Sequence, residues 1–74
     1  MSQKFSLYLH STDKKLGDLP EDLSKYHDST ISDMILSCLL AKKLDITETY
    51  IALGNYGDVV TYKNGEIDKM SDSG

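Results

Sequence analysis

The chain has 74 residues, 39% of them hydrophobic and 27% charged, and carries a formal net charge of −4 from twelve acidic and eight basic side chains. That length allows one small domain, residues 1–74, with a modest core. The single cysteine excludes an internal disulfide and supplies no metal framework.

The chain opens MSQKFSLYLHSTDKK. Its apolar burst is too short for a signal peptide or a bilayer span, so the expectation is a cytoplasmic protein without membrane contact. Residues 4–10, KFSLYLH, alternate: Phe5, Leu7 and Leu9 point one way, Ser6, Tyr8 and His10 the other. That is the period of a half-buried strand. Residues 11–20 have no regular period, include Gly17 and Pro20, and predict a loop pinned by Leu16 and Leu19. Pro20, Glu21 and Asp22 suit the start of a short helical turn over residues 20–27, with Leu23 and Tyr26 turned to the core.

Residues 28–45, DSTISDMILSCLLAKKLD, organise the rest. Ile31, Met34, Ile35, Cys38 and Leu39 recur at intervals of three and four, which predicts a helix over about 30–43. Asp28, Ser29 or Thr30 can cap its start. A helix this short needs a surface to lie on. Its apolar width exceeds one stripe, because Leu36, Leu40 and Ala41 lie beside the main face.

Residues 46–53, ITETYIAL, are read as a strand with Glu48, Tyr50 and Ala52 on one side and Thr49, Ile51 and Leu53 on the other. A helix is the alternative there. Residues 54–57, GNYG, predict a turn, residues 58–62 a strand, and Asn64-Gly65 a tight hairpin. The returning strand, Glu66 to Met70, is polar and suits a sheet edge. Residues 71–74 should fray. The expected fold is α+β: a small single-layer mixed or antiparallel sheet packed on one main helix, in the order strand, short helix, main helix, then three strands. The sheet face away from the helix should carry Tyr and Thr side chains and stand open to water or to a partner.

No zinc-protease, P-loop, CxxC or dinucleotide pattern is present. Cys38 reads as a small core hydrophobe. His10 and His27 lack close spacing and do not make a metal site. Asp28 and Asp33 are five apart and fall on different sides of a helix. No catalytic residue, cofactor site or metal site is therefore expected. The five tyrosines combine apolar area with a polar handle, as interfaces require. Candidate interface residues are Leu36 and Leu40 on the helix and Tyr50, Tyr56 and Tyr62 around the sheet.

These features predict a small acidic protein-binding module, acting as an inhibitor, adaptor or regulatory subunit, with a protein partner or a second copy. A negative surface suits a basic protein surface, although the simpler reading of a modest negative charge is that it keeps a small domain in solution. The alternatives are a winged-helix-like nucleic-acid binder, if residues 47–53 are helical, or half of a dimeric enzyme. All eight basic residues are lysines, and arginine is the usual reader of guanine, so direct nucleic-acid binding is not expected.

Overall fold

In the computed structural model, which describes residues 2–71 and the side chains of residues 2–67, the alternating segments form one antiparallel sheet. The strands are β1 (Phe5–Leu9), β2 (Lys14–Asp18), β3 (Thr49–Gly54), β4 (Val59–Lys63) and β5 (Glu66–Ser71), and α1 is Asp28–Ala41. Spatial order is β2-β1-β3-β4-β5. Every pairing is antiparallel, so the first strand joins the later three by lying beside β3. The α+β class and the order of strand, short helix, main helix and three strands are those expected.

Strand β2 is an addition, because it lies inside the stretch that reads as loop. Its pairing with β1 slips between Leu7 and Tyr8. That slip breaks the alternation by which a strand is recognised. Gly17, at φ +150°, belongs to the irregularity, and the Lys42 side chain lies where a side chain on Gly17 would project. Leu19 is buried and Leu16 half-buried, so both pin this segment as expected. The short helix is one 3₁₀ turn, Leu23–Lys25. It buries Leu23 but leaves Tyr26 exposed, contrary to the expected pairing of the two in the core.

Helix α1 starts and stops two residues earlier than predicted. His27 takes the N-cap position without a side-chain cap, and Asp28 lies in the first turn, where its charge favours the exposed amides. Lys43, at φ +57°, ends the helix. The Lys43 amide donates to Leu40 O at 3.1 Å and the Leu44 amide to Leu39 O at 2.9 Å, a Schellman closure with lysine where glycine is usual. The helix crosses one sheet face from the β4–β5 hairpin, where Ser32 Oγ donates to Gly65 O at 3.0 Å, to β2 beneath Lys42. Ile31, Ile35 and Leu39 are fully buried there, with Met34 and Cys38 partly buried beside them.

Residues 49–54 are strand, which removes the second helix that a winged-helix order requires. Asn64 and Gly65 have φ of +52° and +87°, the two positive values of a primed hairpin turn. Strand β5 is an edge, as its polar sequence predicts, and includes Ser71; residues 72–74, expected to fray, lie outside the described residues. No helix among the described residues is long and apolar enough to cross a membrane.

Candidate interaction surface: the open face of the sheet

Side chains alternate across a strand, so burial of one set fixes the direction of the other. Phe5, Leu7, Tyr50, Ala52, Val60 and Tyr62 face α1 and are at most 2% exposed. Ser6 and Tyr8 of β1, Thr49, Ile51 and Leu53 of β3, and Val59 and Thr61 of β4 therefore face away from the helix. Register puts Ser6, Leu53 and Val59 in one cross-strand row, and Tyr8, Ile51 and Thr61 in the next. Neighbouring strands lie about 4.8 Å apart, so each row is in side-chain contact along its length. The two rows make one continuous strip centred on Tyr8, Ile51, Leu53 and Val59. Leu53 is 40% exposed and the other three are half-buried.

A cleft of about 630 Å³ opens at one corner of this face, lined by Lys4, Ser6, Tyr8, Asp18, Leu53 and Asn55 among others. Asp18 Oδ1 accepts from Ser6 Oγ at 3.0 Å and lies 3.3 Å from Lys15 Nζ. The Ser6 hydrogen bond, then Lys15, hold this carboxyl below its usual range. The wall behind the cleft is fixed by Gln3, which is 4% exposed. Its amide donates to Asp22 Oδ2 at 2.8 Å, and its side-chain Nε2 donates to Asp58 Oδ2 at 2.7 Å.

The edges of the sheet are less suited to contact. Both β2 and β5 pair with their neighbours through a register slip, β5 doing so opposite Thr61 and Tyr62. Irregular, charged edge strands resist the addition of a further strand. Among the described residues, the open face exposes Leu53 and part of Tyr8, Ile51 and Val59.

The five residues singled out from sequence do not form one surface. Tyr50 and Tyr62 are corrected to core residues. They are cross-strand partners on the helix side, 2% and 0% exposed, with ring centroids 6.5 Å apart. Tyr50 donates its hydroxyl to Asp45 O at 2.6 Å, whereas the buried Tyr62 hydroxyl has no hydrogen-bond partner among the described residues. Burial raises both hydroxyl pKa values, with the Asp45 and Glu48 charges adding to the shift at Tyr50. Tyr56 lies in the β3–β4 turn at 49% exposure, and Leu40 stands on α1 at 60%, with Leu36 half-buried one turn before it.

No family model, curated protein or solved structure matches this chain. What the surface does therefore rests on its own chemistry. Among the described residues, no group of three or more His, Cys, Asp or Glu side chains is placed to hold a metal ion. The signal for Tyr8, Ile51, Leu53 and Val59 was present in the sequence, since strand alternation sets them opposite the core tyrosines. Aromatic content alone does not separate Tyr8 from Tyr50 and Tyr62.

Proposed function

We propose that the protein is a small protein-binding module, an inhibitor, adaptor or regulatory subunit without catalysis of its own, and that it meets its partner through the open face of the sheet. The observation that supports this is the continuous strip of Tyr8, Ile51, Leu53 and Val59 on the face opposite α1. One-sided solvation of an antiparallel sheet is ordinary when the outer positions are polar. Here the central outer positions are apolar, and a partner that covers them gains burial worth about 25 cal/mol per Å² of apolar surface. A tyrosine at the centre of such a contact is a favoured anchor. Leu36 and Leu40 offer a narrower strip on one helix.

Two variants test the reading: Ile51→Asp on the face and Leu40→Asp on the helix. Circular dichroism first establishes that each is folded. Native mass spectrometry of the complex captured from the cells that make the protein then reports association. The proposal expects Ile51→Asp to lose the partner and Leu40→Asp to keep it. The reverse result, or a natural protein that captures no partner, overturns it.

A further inference from the structure

The chain has two asparagines, Asn55 and Asn64, each in a turn between strands. An asparagine carboxamide is attacked by the backbone nitrogen of the next residue when that nitrogen reaches its Cγ. A following glycine leaves the nitrogen least shielded, because it has no side chain. Asn64 is followed by Gly65, and Asn55 by Tyr56.

The two are also held differently. Asn55 Oδ1 accepts from the Lys4 amide at 2.8 Å, and the Asn55 amide donates to Lys4 O at 2.8 Å. The Tyr56 amide, which would be the nucleophile, donates to Gln3 Oε1 at 3.2 Å. Asn64 is exposed, and among the described residues its carboxamide has no hydrogen-bond partner. The bond that closes a two-residue turn belongs to the flanking pair, here Lys63 and Glu66, so it does not occupy the Gly65 amide.

Backbone conformation is what restrains Asn64. Ring closure needs an Asn64 ψ far from the left-handed value that accompanies its φ of +52°. The turn must therefore open before the nitrogen can attack. Ser32 Oγ donates to Gly65 O at 3.0 Å and ties the turn to α1.

We infer that Asn64-Gly65 is a site of spontaneous backbone rearrangement, that the Ser32 clamp sets its rate, and that its product releases the β4–β5 hairpin from α1. The Gly65 nitrogen bonds to Asn64 Cγ, the Cγ–Nδ2 bond breaks, and ammonia leaves with the proton that Gly65 gives up. Water then opens the cyclic imide. Attack at Cγ gives aspartate. Attack at the main-chain carbonyl gives isoaspartate, whose chain runs through Cγ. Water is the co-reactant, and nothing is oxidised or reduced. Isoaspartate adds a methylene to the main chain inside a turn whose length fixes strand register. The insertion puts Glu66 out of step with Lys63, strains the Tyr62–Ile67 pair against the core, and draws Gly65 O away from Ser32. The module thereby carries a lifetime set by its own sequence.

The full chain, Ser32→Ala and Asn64→Gln are incubated in mildly alkaline buffer at body temperature, beside a synthetic peptide of residues 61–66 that has the same Asn-Gly pair without the fold. Peptide mapping by mass spectrometry follows amide-to-acid conversion at each asparagine, and enzymatic methylation of isoaspartyl carboxylates separates the two products. Conversion is expected at Asn64 and not at Asn55, more slowly than in the peptide, with isoaspartate in excess. Loss of one hydrogen bond should speed it about fivefold in Ser32→Ala. Asn64→Gln, whose longer side chain closes a less favourable ring, should stay unconverted. The purified isoaspartyl form should melt at a lower temperature, with amide NMR shifts at Ser32 and Ile67. Conversion first at Asn55, or none at Asn64 once the peptide is complete, overturns the site. An unchanged rate in folded Ser32→Ala overturns the clamp. If that variant is unfolded, urea below the natural chain's midpoint replaces it, and a rate at Asn64 that does not rise toward the peptide's overturns the gate. An isoaspartyl form with the natural melting point overturns the release of α1.

Discussion

The carboxamide of Gln3 fills the space that a side chain on Gly54 would need. Its Oε1 accepts from the Tyr56 and Asp58 amides at 3.2 and 3.3 Å while its Nε2 donates to Asp58. One residue near the start of the chain thus organises the β3–β4 turn and, through its backbone amide, Asp22 beside the 3₁₀ turn. Gly54→Ala must displace the carboxamide and should cost about 1–3 kcal/mol. Urea melts of Gly54→Ala, Gln3→Ala and the double variant check this. The two costs should be clearly less than additive, because the second change has little left to displace.

Lys43 adopts the left-handed conformation at the end of α1. An L-residue there is strained by about 1–2 kcal/mol, and glycine is not. Lys43→Gly should therefore stabilise the fold by about 1 kcal/mol after the added freedom of the unfolded chain is subtracted. Thermal denaturation reads the change as a higher midpoint.

The sheet and helix were legible because their periods are clean. Ile31, Ile35 and Leu39 recur at helical spacing, and Phe5 with Leu7, and Val60 with Tyr62, recur at strand spacing. Strand β2 was not, because the Leu16–Gly17 irregularity breaks its alternation. The Gln3 contact was not legible either, since nothing local to Gln3 signals a turn more than fifty residues away.

Tyr50 and Tyr62 differ in what their hydroxyls do. Tyr62→Phe removes a buried hydroxyl that has no partner among the described residues, and should be neutral or stabilising by about 1 kcal/mol. Tyr50→Phe loses the bond to Asp45 O and should cost about 1 kcal/mol. Because folding raises both phenol pKa values, their neutral-form stabilisation is complete below the ordinary value of about 10 and is lost as pH rises through the folded values. Urea midpoints of the single variants, followed into alkali, measure both effects.

Asp22 is the buried carboxylate of the described core. The Ser24 hydroxyl, then the Gln3 amide, hold its pKa below the ordinary aspartate value. Its contribution is therefore complete above about pH 3.9 and is lost as pH falls through the lower folded value. Asp22→Asn should be less stable at neutral pH and show a flatter acid limb than the natural chain. Urea midpoints from neutral pH down to about pH 2 follow that limb.

Photocrosslinking tests the open face most directly. A photoreactive amino acid is placed at Ile51 in one variant and at Leu40 in another, and both are irradiated in the cells that make the protein. The account predicts a discrete protein adduct from position 51 and none of that mass from position 40. An adduct from position 40 alone, or none from position 51 in a folded variant, contradicts it.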